Sequence, residues 1–339
     1  MKSLKTRICL QGGSILTEPI FLEPVFHHKI WGGRKLETDF GYHLPEGKIG
    51  ELWAISAHPN GPDVIANGPL KGTTLDIAWR DHQEYFGHQK SKVFPLLTKI
   101  LDANDSLSVQ VHPDDAYAAA HERPGELGKT ECWYVISAEP GSYLIYGHHA
   151  KTRQQLADMI HQGDWEHLLR KVPVKTGDFV YVPSGTIHAL NKGIMVLETQ
   201  QSSDTTYRLY DYDRTDAQGN KRELHLAQSI DTTTVPSVDP KLDITTAKVD
   251  DATITTFVTA PISKFFSVYK IDLNGKLSQT PTVPYTLVSV LDGAGSIEAD
   301  GQSYPLKKGV HFIIPNQIKS WTFSGKMMLI TSTPGAEEA

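Results

Sequence analysis

Ser108, Gln110 and His112 alternate with Leu107, Val109 and Val111 in the stretch that ends Pro113-Asp114-Asp115. On a strand, that spacing sends a hydroxyl, an amide and an imidazole to one face and the aliphatic side chains to the other. Such a face makes a poor core lining, because every buried polar group needs a partner. Glu131, in Lys129-Thr130-Glu131, lies on a following strand, and His188 ends the segment Val182-Pro183-Ser184-Gly185-Thr186-Ile187-His188. Together these residues offer a metal site. Zinc takes His nitrogen and Glu oxygen at roughly 2.0–2.2 Å, and its catalytic sites keep a position open for water or substrate. The two-histidine, one-carboxylate set also suits iron, manganese or nickel. Gln110 could add a weaker fourth oxygen. Lys129 alternates onto the face of Glu131 and is placed to meet an anionic substrate.

Short β-runs must position these groups. Phe94–Asp102 reads as a buried strand that turns at Ala103-Asn104-Asp105, which makes Leu107–Val111 its hairpin partner. Glu131–Ile136, Gly141–Tyr146, Phe179–Val182, His188–Leu190 and Ile194–Thr199 read as further strands. Phe21–Phe26 is expected as a strand, with His27–Gly33 as a turn whose paired glycines allow backbone to come close. Helices are expected from an N-cap at Thr74 through about Tyr85, over Ala116–His121, from Thr152 through His161, and from Asp164 through Leu169. From about Pro240 the chain turns to Thr, Val and Ser, with no helical pattern.

That texture change divides the chain. Residues 1–15 are expected to be a leader or disordered tail, too short in apolar residues for a signal peptide, with Leu16 as the natural start. Residues 16–240 form the metal-bearing domain and 241–339 a smaller β-domain. The segment from Pro305 to Pro315 repeats the one from Pro173 to Pro183 at an offset of 132 residues, matching Gly177 to Gly309. His188 then falls opposite Ser320, so the second copy keeps the framework without the ligand.

The totals narrow the function. The chain has 339 residues, 39% of them hydrophobic, and a formal net charge of −6 with the signs interspersed, which argues against nucleic acid or an anionic membrane as partner. No apolar run approaches the ~20 residues of a membrane-spanning helix. Cys9 and Cys132 are the only cysteines, which rules out a disulfide framework and suits a reducing cytoplasm. Cys132 is expected to be a buried structural thiol, His148-His149 a solvated turn, and Asp211-Tyr212-Asp213-Arg214 a solvated turn.

Several stretches resemble the zinc-dependent type I mannose-6-phosphate isomerases of the cupin superfamily, in their short bacterial form. They are Leu22–Pro24, Lys29–Gly33, Gly50–Trp53, Phe94–Leu101, Leu107–Asp115, Gly128–Glu131, Val182–Ala189 and Gln200–Arg208. The resemblance implies a mainly β fold of cupin-like jelly-roll barrels, the first bearing one zinc per chain and a few helices, the second lacking metal. It implies Gln110, His112, Glu131 and His188 as ligands and Arg208 as the active-site arginine. It further implies interconversion of mannose 6-phosphate and fructose 6-phosphate through a cis-enediol, in the cytoplasm, by a monomer or homodimer. Arg208 and Lys129 would supply fixed positive charge, Ser108 a phosphate or hydroxyl contact, and Trp31 a wall for the sugar. For the proton-transfer base, a metal-held hydroxide, His58 and Glu51 all stand open. A metal-dependent cupin oxygenase and a catalytically silent sugar-binding cupin are the alternatives. Neither fits as well, because the cations suit an anionic sugar and every ligand is present.

Overall fold

The computed structural model describes residues 17–215 and 218–335. The leader expected over residues 1–15 lies outside them. Two antiparallel sheets make the first half. The six-stranded one runs Phe179–Val182, Glu131–Ala138, Ile194–Gln201, Leu96–Ala103, Ile49–Ile55, Val25–Gly33 in space. The five-stranded one runs Tyr207–Tyr210, Val109–Val111, His188–Leu190, Tyr143–His148, Leu169–Pro173.

Alternation explains the layering. Trp133, Val135, Val182 and Val196 of the larger sheet meet Leu144, Tyr146 and Leu190 of the smaller one in a shared core. The odd-numbered Val109 and Val111, with Ile145, Ala189 and Leu209, point the other way and pack beneath Leu156 and Ile160 of the helix Arg153–Gln162. That helix starts where Thr152 accepts a hydrogen bond from the Gln155 N–H and stops at Gly163, in the left-handed region. The outer face of the larger sheet, including Leu52, Ile100, Tyr134 and Leu197, packs on Phe266, Tyr285 and Ile330 of the second half. Cys132 is a buried free thiol on that face.

The second half supplies seven strands of a nine-stranded antiparallel sheet built on three 14-residue strands, Phe266–Gln279, Thr286–Ala299 and Trp321–Pro334, and completed by Ile20–Glu23 and Val64–Ile65. It curls around Ile271, Leu277, Val290, Phe312, Phe323 and Leu329. Both halves are jelly-roll-like, and the sheets do not close into barrels. The expected repeat is visible: the strands Phe179–Val182 and His311–Ile314 begin and end 132 residues apart, each after a left-handed glycine, Gly177 and Gly309. Sheet pairing also crosses the expected division, since Ile20 and Phe21 pair with Ile313 and Phe312.

Several expectations need correction. The hairpin expected between Phe94–Asp102 and Leu107–Val111 does not form: Leu96–Ala103 pairs within the six-stranded sheet, while Val109–Val111 crosses to the five-stranded one and pairs with His188–Leu190 and Tyr207–Tyr210. His27–Gly33 is not a turn but part of the strand Val25–Gly33, where a Cβ on Gly32 would lie 2.4 Å from the Gly50 nitrogen. His148 ends a strand and is 4% exposed, held by the Thr234 carbonyl, so it is not solvated. Asp211 is 5% exposed rather than solvated. The helix Leu226–Thr232 had no counterpart in the sequence reading. Thr74 and Asp164 stand at helix N-termini, but neither side chain makes a capping hydrogen bond.

Candidate metal centre and its cavity

Register builds the site. Arg208 lies opposite Gln110 and Gln110 opposite His188, a row across three neighbouring strands of the smaller sheet. The larger sheet presents a facing row in which Trp133, Glu198, Lys99 and Trp53 are successive cross-strand partners. Glu131 begins the Trp133 strand on the same face, two residues earlier, and His112 follows the Gln110 strand. The metal candidates are thus delivered from both sheets onto the space between them.

Their atoms converge. Glu131 Oε1 is 3.2 Å from His188 Nε2, and Glu131 Oε2 is 3.4 Å from His112 Nε2. The Gln110 amide end lies 3.3 Å from His188 Nε2 and 3.5 Å from His112 Nε2, and turning the amide over exchanges its nitrogen for its oxygen there. Ligand bonds of about 2.05 Å at tetrahedral angles set donor atoms roughly 3.3 Å apart, close to each of these distances, although the two from Glu131 run to different oxygens. Taking one donor atom from each of His112, Glu131 and His188, all three lie within 4.8 Å of one another. His112, Glu131 and His188 are each 1% exposed or less. Among the described residues, they form the one metal-capable group of three.

Hydrogen bonding supports the fit independently. The His188 Nδ1–H donates to the Thr186 carbonyl at 2.8 Å, which in the neutral ring leaves a lone pair on Nε2. That lone pair faces a carboxylate oxygen. Neither oxygen of Glu131 has a hydrogen-bond partner, although both are buried. Lys129 approaches only Oε2, at 3.5 Å, so the remaining acceptors that face one another in this buried pocket are costly unless a further cation sits among them. Burial, then the Lys129 ammonium, pushes the His112 imidazole down to about 3, which keeps it neutral and able to ligate. Burial opposes the charge on Glu131, but the Lys129 ammonium, 3.5 Å away, leads the interactions that outweigh it and hold the carboxyl well below its usual range.

A small cavity, partly open to solvent, is lined by Gln110 together with Trp31, Ser108, Lys129 and Arg208 of the residues expected at the site, while His112, Glu131 and His188 lie outside its lining. It also exposes residues that sequence reasoning missed. Lys29, Lys99 and Arg222 bring its cations to five, against Glu51, Glu198 and Asp204. Ser108 Oγ accepts from Arg208 Nε at 3.3 Å, so this hydroxyl steers the guanidinium. Arg222 is gripped by Asp211, with Nε donating to Oδ2 at 2.8 Å, while Arg214 donates to Asp211 Oδ1 at 2.6 Å.

The carboxylates differ. Burial works against charge on Glu51, yet Lys29, Lys99 and the Trp53 indole N–H at 2.8 Å draw it down to about 2. Asp204 is also lowered: burial again opposes its charge, and Lys99 and the Asn60 amide outweigh it. Glu198 alone is raised, by burial and then by the Glu131 charge, with Lys99 at 3.7 Å and the Trp133 indole N–H at 2.9 Å as partners. His58 does not line the cavity; its Nδ1 accepts from the Asn60 N–H and its Nε2 lies 3.3 Å from Arg123.

Comparison with known proteins shows the family. The family described as "Phosphomannose isomerase type I, catalytic domain" matches residues 20–163, and "Mannose-6-phosphate isomerase, cupin domain" matches residues 253–334. The chain is 56% identical over 319 residues to the mannose-6-phosphate isomerase of Streptococcus mutans serotype c, covering 94% of this chain and 98% of that one. It is 49% identical over 316 residues to the mannose-6-phosphate isomerase ManA of Bacillus subtilis, covering 93% and 99%. Its fold is similar to the crystal structure of a Bacillus subtilis mannose 6-phosphate isomerase, with a TM-score of 0.89 at 51% identity over 93% of this chain and 99% of that one.

Proposed function

The chain belongs to the type I phosphomannose isomerase family, and from that premise we propose how its cavity interconverts D-mannose 6-phosphate and D-fructose 6-phosphate. The observation that carries the proposal is the convergence of His112, Glu131, His188 and Gln110 within metal-ligand reach of one another beside a cation-rich cavity. These four residues would hold one zinc ion, which supplies Lewis-acid polarisation of the sugar oxygens at C1 and C2.

The chain's own residues do the rest. Arg208 and Arg222 take the phosphate. Burial, and then the charge of Arg222, already weakens the guanidinium of Arg208, so a dianion between them relieves like-charge repulsion. Lys129, packed on Glu131, keeps positive charge at the reacting end, where negative charge develops on the oxygens of the enediol. Trp31 walls the ring. A general base for a carbon-bound proton needs a pKa tuned towards neutrality. Glu198 is the cavity carboxyl shifted in that direction, whereas Glu51 is committed to its cations, so Glu198 moves the proton between C2 and C1. An oxygenase would want an apolar pocket, and five cations make this one unfit. Phosphorylated sugars do not cross bilayers, so the cytoplasm is the compartment this reading implies, and no helix among the described residues is long and apolar enough to span a membrane.

A coupled assay of fructose 6-phosphate formation from mannose 6-phosphate tests the roles. The wild type turns over, and Glu198→Gln loses at least a hundredfold in kcat while KM and metal content stay near wild type. Wild-type rates in Glu198→Gln would remove Glu198 from the chemistry; no turnover by the metal-loaded wild type would remove the reaction itself.

A further inference from the structure

We propose that the second jelly roll binds a neutral polyhydroxylated ring, such as an unphosphorylated hexose, in the cavity between its walls. The cavity offers about 280 Å³, partly open to solvent, at the lower end of the range usual for small-ligand sites and enough for a single ring. Its lining is of two kinds. Thr256, Tyr269 and Thr331 are successive cross-strand partners on three neighbouring strands, so their hydroxyls form one inward row. The apolar part of the lining comprises Trp321 and Phe323, from the other end of the last long strand, with Ile254, Ile271, Val283 and Ile314.

No charged side chain lines the cavity, which excludes a sugar phosphate and sets this site apart from the first. Hydroxyls and aromatic rings sharing one cavity match a pyranose, whose rim carries hydroxyls and whose faces carry C–H groups that pack on indole. Trp321 is 6% exposed and its indole N–H has no hydrogen-bond partner, a buried donor left unsatisfied at the cavity wall. The position also has meaning in the repeat: at the 132-residue offset, His188 corresponds to Ser320, the residue before Trp321. Where the first jelly roll places its metal ligand, the second places uncharged walls.

Saturation-transfer NMR with D-mannose and full-length, metal-loaded protein tests the site. The expected result is transfer to the sugar that persists in His188→Ala, whose cavity lies in the other half. Transfer should fall at least tenfold in Thr331→Val and in Thr256→Val, two near-isosteric changes, each checked to melt like the wild type; if one fails to fold, the other decides. Absence of transfer in the wild type, its loss in His188→Ala, or its persistence in the folded threonine variants would each overturn the proposal. None of these outcomes depends on isomerase turnover.

Discussion

Asp211 shows how much of the site rests on a residue that meets no ligand. It is 5% exposed and accepts from Arg222 and Arg214 together, so it fixes one of the two guanidiniums assigned to the phosphate. Asp211→Asn halves the acceptor capacity and removes the charge. We expect KM for mannose 6-phosphate to rise about tenfold, the worth of one charge-assisted hydrogen bond, with kcat changed much less. A loss confined to kcat in steady-state kinetics would refute that positioning role. The ligand set was readable at this scale because Ser108, Gln110 and His112 interrupt an aliphatic strand locally. Lys99 and Glu198 left a comparable mark, a lone charge in each of the runs Leu96–Leu101 and Ile194–Leu197-Glu198. What made them a pair, the register that sets Glu198 opposite Lys99, joins residues far apart in sequence and has no local signature. Asp211 was misread because its partner Arg222 comes 11 residues later.

At the scale of elements, the repeat allows a controlled comparison. Gly177 and Gly309 make the same left-handed turn before equivalent strands, at φ of 89° and 84°. A Cβ on Gly177 would meet nothing within 4 Å, whereas one on Gly309 would meet the Tyr42 hydroxyl at 3.0 Å. That hydroxyl donates to the Gly309 carbonyl at 2.6 Å and cannot simply withdraw. Both alanine variants incur the left-handed strain of about 1–2 kcal/mol. Gly309→Ala should be the less stable of the two by roughly a further 1 kcal/mol, as read by urea denaturation; equal midpoints would contradict this. The strands around the site were anticipated because burial on one or both faces writes a pattern into the sequence. The segment His27–Gly33 was not, because paired glycines signal a turn and a close strand crossing alike. His148 failed for a similar reason: Gly147 reads as a turn, but its N–H pairs with the Ile187 carbonyl and the strand runs on.

The two halves form one structure through Ile20–Phe21 and a shared core that runs from Leu52 and Ile100 to Phe266 and Tyr285. His311 lies in this interfacial region, 1% exposed, with Ser289 Oγ at 2.9 Å and the Tyr42 hydroxyl at 3.0 Å. Burial alone pushes its imidazole from 6.5 down to about 3. Between those values the unfolded chain binds a proton that the folded chain does not, so stability falls as pH drops below 6.5 and is fully present above it. The loss approaches about 1.4 kcal/mol per pH unit across that window. The wild type should therefore lose its advantage over His311→Asn between pH 6.5 and 4, with metal saturation held equal. A stability difference independent of pH, measured by thermal melts across that range, would contradict this.

Two sheets assemble one centre, His112, Glu131 and His188, on which turnover is proposed to depend. The direct measurement is to strip the protein with a chelator, titrate zinc back, and follow fructose 6-phosphate formation from mannose 6-phosphate against the zinc bound. Activity should vanish on stripping, rise in proportion to bound zinc and level off at one equivalent per chain, with His112→Ala neither retaining the equivalent nor recovering. Activity that survives stripping, or that returns in His112→Ala, would place the chemistry somewhere other than His112, Glu131 and His188.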